Sequence, residues 1–343
     1  MKILITTQAV DKKDPILGFF HSWLIEFSKK YASVTVICLR KGDYDLPPNI
    51  KVLSLGKESA QSKIKYIFNF YKYIFSERKN YEKVFVHMNE EYVLLGGIFW
   101  NFLGKEVFMW RNHKSGSLKT RIAGFLSKKV FYTSVGSFTS KFKNSIQMPV
   151  GIDDSVFRPV GGIQREDNSF LYVGRISPIK NIDKMLDAFM EFSNKVPSFA
   201  FDIVGPCEGD LDLRYKKELE QKIKESGLSS NVKLLGSAKQ EDLPEIYSKY
   251  KFCINLTPSG SFDKTIWESV FCGCIPLVHN ASFLNEISRE LRDKVGLSLE
   301  IKSIVETFEN ALLLSPEKIT SELMAVGRSH SLKALMDKIT QIV

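Results

Sequence analysis

The 343-residue chain has 44% hydrophobic and 25% charged residues, which is typical of a folded globular protein and excludes a disordered one. Because a domain takes roughly 100 to 200 residues, the length favours two domains. The net charge of +9 is unevenly distributed: residues 1–150 contain 24 Lys and Arg against 11 Asp and Glu, and the remainder contains 24 against 28. The basic half indicates an anionic partner, either a nucleic acid, a membrane surface or a phosphorylated ligand.

Membrane-spanning, secreted and metal-binding classes are disfavoured. No apolar run approaches the roughly 18 to 20 residues that cross a bilayer. Residues 1–6 form too short an apolar run for a signal peptide, so we expect a cytosolic protein. The five cysteines stand mostly among apolar residues and lack metal-ligand spacing, so we expect buried thiols and no metal.

Short apolar runs alternate with helical patterns such as Phe19–Lys30 along the first half of the chain. Several runs are almost continuously apolar, as expected of strands covered on both faces. This alternation predicts a doubly wound parallel sheet. The predicted strands are 2–6, 34–39, 51–55, 83–87, 106–110 and 130–134.

The same alternation restarts after Pro159. We therefore predict an α/β protein with two Rossmann-like domains that face a central cleft, residues 1–155 and 160–322. A C-terminal helix within 323–343 is predicted to pack back on the first domain. The predicted strands of the second series are 169–173, 200–204, 232–235, 252–256 and 275–279.

In folds of this kind, ligands bind outside the carboxyl ends of the parallel strands. Neither half of the chain contains the G-x-G-x-x-G pattern of dinucleotide-binding folds or the G-x-x-x-x-G-K-[ST] phosphate loop. Dinucleotide redox chemistry and P-loop phosphoryl transfer are therefore disfavoured.

The segment 171–181, LYVGRISPIKN, places two cations after a predicted strand. The strand ends at Gly174, Arg175 follows in a turn, and Ser177-Pro178 predicts a helix start with Lys180 in or near its first turn. Two cations beside free helix N–H groups can bind a diphosphate. The alternative is a pair of solvated surface charges.

The segment 258–269, PSGSFDKTIWES, is a loop of small residues that leads into a predicted helix. Such a loop exposes backbone N–H donors to phosphate or sugar oxygens. Glu268 stands among apolar residues and, if buried, needs a partner such as the two hydroxyls of a ribose. The alternative is a helix-start carboxylate facing the helix dipole.

The order and spacing of these motifs resemble the family-4 retaining glycosyltransferases of GT-B fold, also described as glycosyl transferases group 1. The resemblance covers residues 165–280 and extends more thinly to Gly151-Ile152-Asp153 and to His330-Ser331-Leu332. The residues that carry it are Gly174-Arg175, Lys180, the segments 201–205, 235–236 and 242–247, Glu268, Gly273 and Pro276.

The resemblance implies transfer of a sugar from a nucleotide diphosphate donor, with retention of configuration and without a metal or other cofactor. It implies that Arg175 and Lys180 hold the donor diphosphate and offset charge on the departing nucleotide. It also implies that Glu268 binds the donor ribose. Further donor contacts, mostly through backbone groups, are implied for Gly174, Phe262, Asp263, Lys264 and Thr265.

The chain departs from the family at Gly260, where the family usually has a second glutamate. Ser261 and Asp263 are candidates to supply the missing sugar contacts. The departure leaves two alternatives beside a transferase: a weakened scaffold subunit that binds nucleotide-sugars, and a nucleotide-sugar epimerase on the same fold.

Three residues of the first domain are weaker site candidates. Gly18 follows the first strand, where the family often brings backbone close to the donor phosphate, although a turn glycine without a ligand is equally consistent. His113 follows the strand 106–110 and is predicted to orient donor sugar or acceptor from the cleft. His87 also ends a strand and is a lesser candidate.

The basic half also contains an aromatic helix pattern at 62–79, SKIKYIFNFYKYIFSERK. Such a helix can lie on an anionic bilayer, or it can be a core helix whose lysine stems cover apolar surface. Nine Lys and Arg and a single acid follow in 105–143. No motif that reads nucleic acid is present, so we expect none as partner. The apolar residues of the aromatic helix pattern at 62–79 that recur at helical spacing are Ile64, Ile67, Phe68, Tyr71 and Phe75.

Together these features predict a retaining glycosyltransferase that uses a UDP- or GDP-linked sugar. The predicted acceptor is a hydroxyl of a cell-surface glycan or lipid-linked precursor, presented at the cytoplasmic leaflet. We therefore expect a cytoplasmic protein that is peripheral at the inner face of the membrane, with the first domain binding the acceptor and the second the donor.

Overall fold

The computed structural model describes residues 1–14, 16–260 and 262–343. The chain divides into two compact units, each with its own parallel sheet. The first unit is Met1–Gly151 together with Leu332–Val343, and the second is Ile152–Ser331. The predicted fold class, two Rossmann-like α/β domains, is confirmed.

The first unit is built on a seven-stranded sheet in which every pair of neighbouring strands is parallel. The order β3-β2-β1-β4-β5-β6-β7 reverses direction between β1 and β4. The strands are β1 (Lys2–Val10), β2 (Ser33–Lys41), β3 (Ile50–Ser54), β4 (Lys83–His87), β5 (Glu106–Trp110), β6 (Lys129–Tyr132) and β7 (Ser145–Gln147).

Helices cover both faces of this sheet because its central strands are apolar on both sides. One face packs against α1 (Phe19–Lys30) through Trp23 and Phe27. The other face packs against three further helices through side chains such as Phe70 and Trp100. These three are α2 (Lys63–Ser76), α3 (Glu91–Phe102) and α4 (Leu118–Leu126).

The second unit has a five-stranded parallel sheet in the order β10-β9-β8-β11-β12. The order in which the chain adds strands to the sheet reverses between β8 and β11, which are parallel hydrogen-bonded neighbours. Ligands of doubly wound sheets bind outside the strand ends at this reversal. The strands are β8 (Glu166–Val173), β9 (Ala200–Val204), β10 (Val232–Gly236), β11 (Tyr250–Asn255) and β12 (Ile275–Val278).

A cluster of phenylalanines fills one side of the second unit. Phe170 of β8 stacks on Phe252 of β11, and Phe189 and Phe308 pack against Phe170 from two helices. The helices of the second unit are α5 (Ile182–Phe192), α6 (Gly209–Glu225), α7 (Leu243–Ser248), α8 (Lys264–Phe271), α9 (Ala281–Leu284), α10 (Arg289–Val295), α11 (Ile301–Leu312) and α12 (Pro316–Gly327). Phe189 belongs to α5 and Phe308 to α11.

The last helix, α13 (Leu332–Ile342), returns to the first unit. Leu335 and Met336 enter the same core as Trp23, and Lys30 of α1 pairs with Asp337 at 3.0 Å. The predicted segment 323–343 is therefore divided, since its residues before Leu332 belong to the second unit.

All eleven predicted strands are present, and their bounds differ by a few residues at most. Strand β7, with only three residues, was not predicted because a single apolar residue, Ile146, gives no recognisable pattern. The five thiols are free; four are buried as expected, whereas Cys207 is half-buried. Among the described residues, no helix combines the length and the apolar character needed to cross a membrane.

Two glycines shape the loops at the carboxyl ends of β8 and β9. Gly174 has a φ of +154°, which side chains rarely adopt. A Cβ atom on Gly205 would lie 1.8 Å from the carbonyl oxygen of Gly174. A rotation of a side chain cannot relieve this clash, because one atom is a Cβ and the other is a backbone oxygen. The loop that carries Arg175 therefore depends on glycine at position 205.

We expect Gly205→Ala to lower the free energy of unfolding by at least about 3 kcal/mol, because backbone must move to admit the methyl group. Urea denaturation measures this loss. Gly161→Ala is the matched control, since no heavy atom outside its chain neighbours lies within 4 Å of the added methyl. Equal stability of the two variants would contradict the close approach.

Candidate functional site

Lys180 and Asp263 meet where the second sheet reverses direction. Lys180 follows β8 in a short 3-10 turn, Pro178–Lys180, and Asp263 precedes α8, which follows β11. The Lys180 ammonium lies 2.6 Å from Oδ2 of Asp263. Their side chains are only 16% and 13% exposed. The two predicted donor-site segments are therefore joined by a largely buried ion pair.

Three further side chains complete this polar cluster. Thr257 accepts from Lys180 at 3.1 Å and donates to Oδ2 of Asp263 at 3.0 Å. Thr265 donates to Oδ1 of Asp263 at 3.0 Å and accepts from the Asn255 amide at 3.3 Å. Asp263 thus accepts three hydrogen bonds, which occupy most of the roughly four lone-pair positions of a carboxylate.

The surroundings of Asp263 keep its carboxyl group ionised. Burial alone would raise its pKa, but the charge and hydrogen bond of Lys180, with the neighbouring amide and hydroxyl donors, lower the pKa from 3.8 to about 2. The cluster therefore contains a fixed negative charge beside Lys180, which the sequence analysis did not anticipate.

Arg175 lies in the loop between β8 and the 3-10 turn and is paired with two acids at the start of α6, one just before the helix and one in its first turn. Its guanidinium lies 3.0 Å from Glu208 and 3.7 Å from Asp212. Tyr172 donates to the carbonyl of Arg175 at 2.9 Å, which fixes the loop backbone. Because Arg175 and Glu208 are both more than 40% exposed, their ion pair is solvent-screened and can exchange partners.

Glu268 is the fifth residue of α8 and is only 7% exposed. It lies beyond the first helical turn, so the alternative of a helix-start carboxylate is wrong. Burial raises its pKa, which Lys264, one turn earlier, and the Tyr247 hydroxyl oppose. Burial lowers the pKa of Lys264 in turn, opposed by Glu268. A buried acid and base therefore share one face of α8.

The loop before α8 differs from the family pattern in its backbone as well as its side chains. Gly260 has a φ of +124°, a region that disfavours a glutamate at this position. Ser261, one of the two predicted substitutes, lies outside the described residues. Phe262 is buried, with its ring 6.0 Å from that of His330.

The candidates in the first unit have different surroundings. His113 is exposed in the loop after β5, with Nδ1 3.0 Å from the backbone N and O of Ser115. His87 is 1% exposed and stacks on Phe20 with ring centroids 4.0 Å apart, so it is a core residue and not a cleft residue. The role of His113 stays a prediction.

Gly18 is the N-cap of α1 and has an ordinary right-handed φ of −54°. Its conformation therefore does not require glycine. The preceding loop is organised by Asp14, which accepts from the backbone of Ile16 and Leu17 and pairs with Arg40. A role for Gly18 toward donor phosphate stays a prediction.

The polar partners Asn255, Thr257, Glu208 and Asp212 were missed by the sequence analysis. Asn255 and Thr257 had a usable signal, since they are polar residues directly after the buried strand β11. Glu208 and Asp212 lie just before and within the first turn of α6, where acids commonly complement the helix dipole. The sequence therefore contains no signal that these two acids pair with Arg175. Within the described ranges, no three acidic, His or Cys side chains are grouped to hold a metal.

Residues 153–318 match the family described as Glycosyl transferases group 1. Over 156 residues the chain is 24% identical to mannosylfructose-phosphate synthase of Agrobacterium fabrum, covering 42% of this chain and 34% of that protein. It is 27% identical over 150 residues to the GtfA subunit of UDP-N-acetylglucosamine–peptide N-acetylglucosaminyltransferase of Streptococcus pneumoniae, covering 44% and 27%. The matches thus span about a third or less of these relatives.

Similar structures cover the whole chain. Anabaena Alr3699/HepE, solved in complex with UDP and glucose, superposes with a TM-score of 0.78 at 17% identity, over 100% of this chain and 99% of that one. Sucrose-phosphate synthase from Thermosynechococcus elongatus superposes with a TM-score of 0.74 at 15% identity, over 100% and 98%. At these identities the likeness establishes the GT-B fold.

The Asp263 carboxyl group should make stability depend on pH in the acidic range. Its pKa is 3.8 in the unfolded chain and about 2 in the folded one, so the unfolded chain takes up this proton first as pH falls. The stabilisation of about 2 kcal/mol is present above about pH 5 and is lost as the pH falls toward 2. Denaturant unfolding at a series of pH values measures it.

Asp263→Asn should remove this component, so that the stability difference between wild type and variant shrinks on acidification. Asp293→Asn, an exposed carboxylate on α10, is the control and should keep the wild-type fall. A difference between wild type and Asp263→Asn that is the same at pH 7 and pH 2.5 would contradict the assignment.

Proposed function

We propose that the chain is a retaining glycosyltransferase that uses a nucleotide diphosphate sugar, UDP- or GDP-linked, with no resident metal or cofactor. The observation that carries this proposal is the position of Lys180, Asp263 and Glu268. They lie where the order of the second sheet reverses, within the segment that matches Glycosyl transferases group 1. Neighbouring structures determined with UDP and with UDP-glucose support a nucleotide-sugar donor.

In this proposal the diphosphate binds Lys180 and Arg175. Lys180 is held in place by Asp263 and Thr257, so little side-chain entropy is lost when it binds a phosphate oxygen. Arg175 exchanges Glu208 for phosphate, since that pair is exposed to solvent. Both cations then stabilise the negative charge that develops as the nucleotide diphosphate leaves.

The buried Glu268 carboxylate accepts the two ribose hydroxyls of the donor in this proposal. Hydrogen bonds from two hydroxyls offset the cost of removing a carboxylate from water, which the apolar neighbours of Glu268 cannot do. The acceptor oxygen bonds to the anomeric carbon on the face from which the nucleotide diphosphate departs, and the hydroxyl proton passes to the departing phosphate oxygen, so configuration is retained. His113 in the first unit orients the donor sugar or the acceptor.

The acceptor is proposed to be a glycan or lipid-linked precursor presented at the cytoplasmic leaflet. The first unit binds this acceptor, and the second binds the donor. The basic excess of the first unit supports a location beside anionic membrane lipid.

Two variants should separate the diphosphate and ribose contacts. Lys180→Met should weaken binding of both UDP and pyrophosphate by about ten- to a hundredfold, because it removes a charged hydrogen-bond donor. Glu268→Gln should weaken UDP binding by a similar factor and leave pyrophosphate binding unchanged. Isothermal titration calorimetry with the two ligands measures both effects.

Lys233→Met, an exposed lysine on β10, is the matched control and should bind both ligands as wild type does. Circular dichroism verifies that each variant is folded. Wild-type affinity of Lys180→Met for UDP would remove the diphosphate assignment, and a loss of pyrophosphate binding in Glu268→Gln would remove the ribose assignment.

A non-catalytic scaffold that binds nucleotide-sugars is the second candidate. Gly260, with its positive φ, favours it, because a sugar contact that the family supplies is missing. We expect wild type to release UDP or GDP slowly from one member of a nucleotide-sugar panel, even without acceptor, and Lys180→Met to lose this release. Tight binding of a nucleotide-sugar without release would support the scaffold, and an altered sugar configuration in the recovered nucleotide-sugar would support the epimerase.

A further inference from the structure

Helices α2, α3 and α4 form one layer over the first sheet. Their inner sides share a core that includes Phe70 of α2, Trp100 of α3 and Ala123 of α4. Adjacent helices are tied together by hydrogen bonds, from the Tyr71 hydroxyl to the Leu95 carbonyl and from the Asn101 amide to the Leu126 carbonyl. The layer is therefore a single surface and not three independent helices.

The outer side of this layer is unusually apolar for a surface exposed to water. The five residues of the aromatic helix pattern at 62–79 are all exposed, so their alternative assignment to the core is wrong. In the part of the chain that the structure describes, every phenylalanine that is exposed rather than buried or half-buried lies on this layer. The exposed apolar residues are Ile64, Ile67, Phe68, Tyr71, Phe75, Ile98, Phe102, Leu118, Ile122 and Phe125.

Helix α3 shows the contrast most clearly. It has no basic residue, and beyond Glu91 its only strongly polar residue is Asn101. A helix that is apolar on all sides is normally buried. Here Ile98 is 70% exposed and Phe102 is 86% exposed, one helical turn apart on the outer side. Phe125 of the neighbouring α4 is 87% exposed.

The charge at this surface is almost entirely positive. Helices α2 and α4 contain no acidic residue. The nearby acids Glu77 and Glu106 are paired with lysines, and Glu90, at the N-cap of α3, is paired with Arg111. Glu91, at the start of α3, is the exposed acid of the layer. The exposed cations at or beside the apolar residues are Lys63, Lys65, Lys72, Lys79, Lys119, Arg121 and Lys128.

A pocket of about 410 Å³ adjoins the layer at α4. Its wall combines the rings of Phe125 and Phe142 with the cations Arg121, Lys141 and Lys143. Among its described lining residues there is no acid. Cations beside apolar rings suit a phosphate group that is attached to a hydrocarbon chain.

We propose that the α2–α4 layer is the surface by which the protein docks on an anionic lipid bilayer, with a lipid phosphate in the pocket beside Phe125. This inference rests on the proposed function, since it places the acceptor-binding unit at the leaflet that presents a lipid-linked acceptor. The phenylalanines enter the interfacial region, and the lysines contact the lipid phosphates around them.

Chemical complementarity favours a bilayer over other partners. Aliphatic side chains such as Ile64, Ile98 and Leu118 offer nothing to a phosphodiester backbone, whereas they partition into acyl chains. A second copy of the chain would bring the like charges of Lys63, Lys119 and their neighbours together, which is unfavourable. An anionic lipid surface satisfies the apolar and the basic residues at once.

Sedimentation with vesicles tests the apolar part of the proposal. The full chain should sediment at low salt with phosphatidylcholine–phosphatidylglycerol vesicles and much less with phosphatidylcholine alone. The triple variant Phe68→Ser, Phe102→Ser and Phe125→Ser should lose at least about tenfold in partition coefficient. Leu211→Ser with Leu313→Ser removes exposed leucines from the second unit and should sediment as wild type.

The charge contribution is tested separately. Lys63→Glu, Lys65→Glu and Lys119→Glu together should weaken sedimentation by at least about fivefold for each lysine replaced. Lys302→Glu with Lys318→Glu, exposed lysines of α11 and α12, is the control and should leave it largely unchanged. Loss of binding in this control pair equal to that in the test variant would show an effect of net charge and overturn the assignment.

Further outcomes would overturn the docking surface. The docking surface would be wrong if the wild type did not sediment with anionic vesicles, or if the serine triple variant sedimented with them as fully as the wild type. Dimerisation by light scattering that the serine variant abolishes, without vesicle binding, assigns the surface to a second copy, and displacement of the vesicles by DNA assigns it to nucleic acid. UDP affinity should be unchanged in these variants, so vesicle binding without UDP binding would sink the donor site and leave the docking surface intact.

Discussion

The ion pair between Lys180 and Asp263 joins two loops that are 83 residues apart in the chain. One loop follows β8 and the other follows β11, the two strands between which the strand order of the second sheet reverses. The hydrogen bonds of the sheet end with these strands, so they do not fix the loops that follow. The buried pair, with the hydroxyls of Thr257 and Thr265 and the hydrogen bond from the Asn181 amide to the Leu256 carbonyl, ties the two loops together. These contacts hold the cation beside the start of α8, the helix that carries Glu268.

Charge has a different form in each unit. In the second, which is weakly acidic overall, the cations that matter are individually paired with carboxylates, so their positions are precise and their net field is small. In the first, the excess cations are mostly exposed and surround apolar side chains. A diphosphate is recognised by position and a lipid surface by collective potential, and the two arrangements suit these two kinds of anion.

The sequence was sufficient to predict both sheets, because buried parallel strands are continuous apolar runs and a resemblance located the donor segments. It was insufficient for the pairing of Lys180 with Asp263 and of Arg175 with Glu208. Those contacts depend on which strands become neighbours, and β8 and β11 are separated by two other strands in the chain. It also left α2 ambiguous, since an amphipathic helix with two apolar sides does not reveal from its own residues which side is covered.

The return of α13 makes the first unit discontinuous in the chain. Five buried residues at the end of the unit complete a core whose other buried members lie before residue 150, and the whole second unit is synthesised between the two groups. The five are Leu332, Leu335, Met336, Ile339 and Val343. During translation the residues of the first unit that precede the second unit therefore emerge with an open apolar face beside α1, which closes only when α13 has left the ribosome. The second unit has all its own residues earlier, so it can finish folding first although it begins later.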